Sequence, residues 1–124
     1  TRGGTIVLNS SIVGTTKGAA SLGIYSATKA GARALIRAWV PDLSALGIRI
    51  NAVSPGPTDT PIFDSQFPSR EIAATMRDVT IKMVPLKRMA HPDELANAVF
   101  FLACDESSYI TGIDLQVDGG MAQI

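Results

Sequence analysis

Gly47-Ile48-Arg49-Ile50-Asn51-Ala52-Val53-Ser54-Pro55-Gly56-Pro57 is the stretch that decides the fold. Gly47 ends a helical pattern, Ile48 to Val53 reads as a strand, and Ser54-Pro55-Gly56-Pro57 stops it. Upstream, Tyr25 to Leu46 carries a helical period. Leu35, Trp39, Leu43 and Leu46 fall on one stripe, predicted to face the core, while Lys29, Arg33 and Arg37 run along another. Ala27, Ala30, Gly31 and Ala34 are small enough to let a neighbouring element approach closely. Pro41 lies inside this pattern, where it removes one hydrogen bond and crowds the carbonyl of Arg37 at a cost of about 3 kcal/mol, so a kink is predicted there. Further upstream, Thr5-Ile6-Val7-Leu8 follows Gly3-Gly4 as a short apolar run, predicted to be a parallel strand covered on both faces. Strand, helix and strand in this order imply a right-handed crossover and a parallel sheet.

Downstream, residues 57–91 hold Pro57, Pro61, Pro68 and Pro85 around a polar helical stretch in which Ile72, Met76, Val79 and Met83 recur at helical spacing. The pattern predicts a mobile flap. Pro92-Asp93-Glu94 opens a stronger helix, since proline suits the first turn and acidic residues its positive end. Leu95, Ala98, Val99 and Leu102 form its predicted buried stripe. Ile113, Leu115 and Val117 alternate with polar residues as a last strand before Asp118-Gly119-Gly120.

The chain has 124 residues, enough for one domain with a single core, residues 1–124. Apolar residues make up 46% and charged residues 18%, which suits a globular α/β domain. Eleven basic and eleven acidic residues cancel, so no electrostatic footprint points to nucleic acid or to an anionic membrane. The single cysteine, Cys104, has no internal partner, and no apolar run approaches the roughly 18 to 20 residues needed to cross a bilayer. A cytoplasmic protein is expected. His91 has no Cys or acidic companion at ligand spacing, so no metal site is expected. The chain starts at Thr1 without an initiator Met or a charged-then-apolar leader, and its start is expected to be an internal cut.

Tyr25 and Lys29 stand four residues apart, so their side chains share a helix face and can converge on one ligand. Such a pair is common on solvated helices; its surroundings give it weight. One strand ends at Asn9-Ser10-Ser11 and the next at Ser54-Pro55-Gly56-Pro57-Thr58-Asp59-Thr60, and in a parallel sheet both ends open on one rim, where α/β folds bind ligands.

Thr5 to Ser11, Tyr25-Ser26-Ala27-Thr28-Lys29, Asn51-Ala52-Val53-Ser54-Pro55-Gly56, and Ile110-Thr111-Gly112 through Asp118-Gly119-Gly120 together resemble, in order and approximate spacing, the short-chain dehydrogenase/reductase family. The resemblance covers nearly the whole chain. It is strongest to bacterial members that act on acyl thioesters, sugars and small alcohols. It implies the carboxy-terminal half of a doubly wound Rossmann fold and hydride exchange between NAD or NADP and an alcohol or ketone. Tyr25 would be the acid or base, and Lys29 would favour its phenolate and hold the nicotinamide ribose. Ser11, or Ser10 in its place, would bond the substrate oxygen, because the loop to Tyr25 is about one residue longer than usual around Thr15-Thr16-Lys17-Gly18. Pro55 and Gly56 would seat the nicotinamide ring, with Thr58 on its carboxamide and Thr60 near the pyrophosphate. Asn51 is expected to tie strand backbone together and not to touch ligand.

The resemblance also implies that the glycine-rich turn and the selector between NAD and NADP precede Thr1, so that the chain by itself lacks dehydrogenase activity. It implies a homodimer through the long helix or a homotetramer through the last helix and strand. The segment from Thr60 to Met83, with Ile62, Phe63 and Phe67, would cover the substrate. Two other readings stay open: a binding or scaffold protein that kept the fold without catalysis, and an extended sugar-nucleotide epimerase, which the Asp118-Gly119-Gly120 ending disfavours.

Overall fold

A computed structural model describes residues 3–124. Three parallel strands form its centre: β1 (Gly4–Asn9), β2 (Ile48–Pro55) and β3 (Asp114–Val117), in the order β1-β2-β3. Gly4 pairs with Ile48 and Asn9 with Val53, and Ala52 to Pro55 pair with Asp114 to Val117. β2 runs two residues further than the sequence predicts, because Ser54 and Pro55 still pair with β3. Both crossovers are helical, as a parallel sheet demands.

The period of two along a strand divides the sheet into two faces. Ile50 and Ala52 are fully buried on one, where Ile6 and Leu8 join Val40 and Leu43 around the fully buried Ile36 of helix α2 (Gly23–Ala45). Burying Ile36 stabilises the chain by roughly 1.5 to 3 kcal/mol relative to exposure. On the other face, Thr5 donates to the carbonyl of Leu102 at 3.3 Å and Arg49 to that of Cys104 at 3.0 Å, both at the end of helix α5 (Pro92–Ala103). Helices thus cover both faces, the doubly wound arrangement expected.

Three expectations need correction. The core stripe of α2 is Ile36, Val40 and Leu43, whereas Leu35, Trp39 and Leu46 remain between 43% and 53% exposed. Two apolar stripes share Leu43, and the one directly over β2 is buried. On α5, Leu102 is fully buried but Val99 stays 39% exposed, with Phe100 more so. β1 is only half-buried, because it forms one edge of the described sheet. Pro41 lies inside α2, which stays helical to Ala45 around it; Gly47 then turns the chain into β2.

Asn51 is fully buried, and its amide donates to Ile110 at 3.0 Å while accepting from the Ile113 N–H at 3.1 Å. The side chain therefore ties β2 to the approach to β3, as expected of it. Between β2 and α5 lie helices α3 (Pro61–Ser65) and α4 (Arg70–Met83), where the predicted flap falls. Ala73 is buried there, while Ile72, Met76, Val79 and Met83 are 37% to 53% exposed. Among the described residues, no helix is long and apolar enough to cross a membrane.

Candidate active site

The carboxyl ends of β1 and β2 open on one rim, since the strands are parallel and Asn9 stands beside Val53. Ser10 continues the register by donating its N–H to the Val53 carbonyl at 2.8 Å. Its hydroxyl donates to the Lys29 carbonyl at 3.2 Å, joining the strand end to α2. Ser11 is extended and caps a short turn, α1 (Ile12–Thr15), by accepting from the Val13 N–H at 3.1 Å. The two serines are thus unequal: the Ser10 proton is spent on a backbone carbonyl, and Ser11 serves as acceptor with its own proton left to donate. Both are buried.

α1 leaves helical conformation at Val13 and Gly14. Gly14 has a φ of +93°, and a β-carbon there would stand 2.4 Å from the Ser26 carbonyl oxygen. The absent side chain is what lets the serine loop lie against the first turns of α2, beside Tyr25. Thr15 reinforces the loop by donating to the Ser11 carbonyl at 2.6 Å, with Ser54 of β2 3.5 Å from the same hydroxyl.

Lys29 lies one turn after Tyr25. Its ammonium donates to the Asn9 carbonyl at 3.0 Å and sits 5.6 Å from the centre of the Tyr25 ring. One cation therefore joins the end of β1 to the aromatic hydroxyl residue, with two of its three N–H donors beyond that bond. Tyr25 is 43% exposed, so its ring is open to an incoming molecule.

At the second strand end, a β-carbon on Gly56 would fall 2.6 Å from the Asp118 α-carbon. Close packing on Asp118 within the chain by itself requires a glycine here. Asp118 in turn accepts from the N–H groups of Gly120 at 2.9 Å and Ala122 at 2.7 Å. Thr58 donates to the Gly56 carbonyl at 3.1 Å and bridges to Ala90. Thr60 occupies the N-cap position of α3, but its hydroxyl does not bond the helix amides.

Ser11, Tyr25 and Lys29 thus share one neighbourhood, and Pro55 to Thr60 leaves the adjacent strand end at the same rim. Sequence reasoning missed Gly14 and Asp118, whose roles depend on segments that meet only in the fold. It also missed Arg77, which bonds Asp59 and Asp64. His91 caps α5 in a reciprocal arrangement, accepting from the Asp93 N–H while Glu94 accepts from the His91 N–H at 2.8 Å. Glu94 also takes a two-pronged bond from Arg88 at 2.6 and 2.7 Å, and these bonds lower its pKa from 4.5 to about 2. Among the described residues, no group of three or more His, Cys, Asp or Glu is placed to hold a metal ion.

Residues 1–122 match the family model described as enoyl-(acyl carrier protein) reductase. A solved short-chain dehydrogenase/reductase family protein is 38% identical over 97% of this chain, with a TM-score of 0.83 and 46% of its own length covered. The chain belongs to the short-chain dehydrogenase/reductase family. The 3-oxoacyl-(acyl-carrier-protein) reductase of Thermotoga maritima is 38% identical over 97% of the chain, which covers 46% of it. The cis-4-hydroxycyclohexanecarboxylate dehydrogenase of Sinomonas cyclohexanicum is 40% identical over 98%, again with 46% of it covered. The ligand-free aldohexose dehydrogenase of Thermoplasma acidophilum superimposes on all of this chain with a TM-score of 0.91 at 29% identity, and half of it is covered. This short-chain dehydrogenase/reductase chain therefore spans about half the length of the curated relatives it matches.

Proposed function

We propose that this chain supplies the catalytic half of an oxidoreductase that interconverts an alcohol and a ketone with NAD or NADP. The carrying observation is the Lys29 ammonium, fixed by the Asn9 carbonyl at 3.0 Å and lying 5.6 Å from the centre of the Tyr25 ring. The donor set fits a nicotinamide cofactor: Lys29 has two further N–H donors for the ribose, and the Thr60 hydroxyl, toward the pyrophosphate, is not spent on its helix. A protein assigned as a 2-deoxy-D-gluconate 3-dehydrogenase from Agrobacterium tumefaciens, 26% identical with a TM-score of 0.86 over 99% of this chain and 48% of its own, was solved with NADP bound, which supports a nicotinamide cofactor.

The nicotinamide, when bound, supplies or accepts the hydride at the substrate carbon. Tyr25 then gives a proton to the carbonyl oxygen during reduction and takes it back during oxidation, so the two transfers together balance ketone against alcohol. Lys29 sets a positive charge beside the Tyr25 ring, where it stabilises negative charge that develops on the phenol oxygen as the proton moves. Ser11 donates its remaining proton to the substrate oxygen, holding it in line with Tyr25 and stabilising charge as it develops. Thr58 and Thr60 hold the carboxamide and the pyrophosphate side beside Pro55 and Gly56. We place the protein in the cytoplasm as a homodimer or homotetramer, and the exposed Leu35 and Trp39 on α2 and Phe100 on α5 support the assembly alone.

The test joins this chain to an amino-terminal half of the kind its relatives carry. Purified protein is incubated with NADH or NADPH and a panel of ketones, and with the oxidised cofactors and alcohols, while nicotinamide absorbance is followed. Turnover that falls at least about 100-fold in Tyr25→Phe is expected. An undiminished rate in that variant overturns the assignment.

A further inference from the structure

Arg77 stands in the middle of α4, outside the rim described above, yet its guanidinium touches three separate segments. One nitrogen donates to Asp59 at 2.6 Å, and Asp59 lies between Thr58 and Thr60. The other terminal nitrogen donates to Asp64 of α3 at 2.8 Å. The sulfur of the buried Met89 is 3.4 Å from the first, and the Phe63 ring lies 5.1 Å from the guanidinium carbon. Phe63 packs in turn on Phe67, with centroids 5.3 Å apart. The segment after Met89 closes the circle: Ala90 donates to the Pro57 carbonyl at 3.0 Å and accepts from the Asp59 N–H at 2.9 Å.

An isolated exposed ion pair contributes little, because solvent and salt screen it. This arrangement differs in three ways. The Arg77 side chain is only 25% exposed, although both carboxylates are more than half exposed. The planar fork grips two carboxylates on different segments at once, which a lysine cannot reproduce. An aromatic face adds a cation–π contact to the same group. The carboxylates also act on the cation, since their hydrogen bonds, Asp64 first and then Asp59, raise its pKa.

We propose that Arg77 is a positioning residue that couples the α3–α4 segment to the Thr58–Thr60 turn, so that fixing either one fixes the other. The meaning of that coupling for substrate closure rests on the function proposed above, in which the turn holds the nicotinamide, and on the expectation from the family resemblance that the segment from Thr60 to Met83 covers the substrate. Order imposed on the turn by a cofactor would then reach the substrate cover through one side chain.

Hydrogen exchange in the protein carrying this chain tests the coupling. Asp64→Asn, altered on α3, should speed exchange at Thr58 to Thr60 by about three- to tenfold. Asp59→Asn should do the same for α3 and α4, and β2 should be unchanged in both. Arg77→Lys should resemble these variants, since an ammonium reaches one carboxylate at a time. Changes confined to the altered side would overturn the proposal. In protein joined to a cofactor-binding half, Asp64→Asn should raise the KM for a ketone severalfold with kcat within about twofold. Coupled exchange without any turnover in the parent would overturn the catalytic reading and leave the coupling standing. Turnover with uncoupled exchange would do the reverse.

Discussion

Gly14 and Ser26 approach so closely that a β-carbon on the first would lie 2.4 Å from the carbonyl oxygen of the second. This contact presses the loop that carries Ser11 against the helix that carries Tyr25. Gly14→Ala must either shift the loop or strain it, because φ is also +93° there. A loss of about 2 to 4 kcal/mol is expected from the combined strain and overpacking, measured by urea denaturation. Turnover in a complete enzyme should fall further than stability explains, since the serine would move away from the tyrosine.

Ser10 and Ser11 should separate in their effects. Ser11→Ala removes the cap on Val13 at a cost of about 0.5 to 1 kcal/mol, and lowers kcat by about 100-fold or more if its proton serves the substrate oxygen. Ser10→Ala removes only the bond to the Lys29 carbonyl, so its loss should be mainly in stability. Steady-state kinetics beside thermal melts of both variants would decide the point, and the reverse ranking would hand the role to Ser10.

Replacing Asn51 by Leu keeps much of the volume and deletes both bonds. The Ile113 N–H then loses this partner, while the Ile110 carbonyl keeps the Arg49 guanidinium at 3.1 Å, so a cost of about 1 to 3 kcal/mol is expected. Denaturant midpoints should show it, and a change below 1 kcal/mol would mean that water or backbone movement replaces the amide.

Acid should weaken the anchor at the start of α5. The Glu94 pKa falls from 4.5 to about 2 on folding, so its contribution is present above 4.5 and is lost as pH drops toward 2. The melting-temperature gap between the parent and Glu94→Gln should therefore be widest near neutrality and close across that acidic window. It should also narrow in about 1 M salt, because the pair with Arg88 is solvent-exposed. Circular dichroism melts at several pH values would measure both trends.

Strand identity, order along the chain and parallel direction were legible because Ile48 to Val53 is bounded by Gly47 on one side and Pro55-Gly56 on the other. Tyr25 and Lys29 were legible because helical spacing puts them on one face and the family resemblance, together with two strand ends at one rim, singles that face out. The buried stripe of α2 was not, since Leu35-Trp39-Leu46 and Ile36-Val40-Leu43 are equally apolar series and only the position of β2 chooses between them. The inward tie of Asn51 could be anticipated from a polar residue set within a strand. Gly14 against Ser26, Gly56 against Asp118, and Arg77 between Asp59 and Asp64 could not, because each joins segments whose meeting depends on the finished crossover.

Thr5 donates its hydroxyl to the carbonyl of Leu102, a residue 97 positions further along. A ribosome adding roughly 5 to 20 residues each second needs about 5 to 20 s to make that span. For that interval the first strand exists without its α5 neighbour, and the face that carries Thr5 and Val7 stays bare even after Ile6 and Leu8 have met α2.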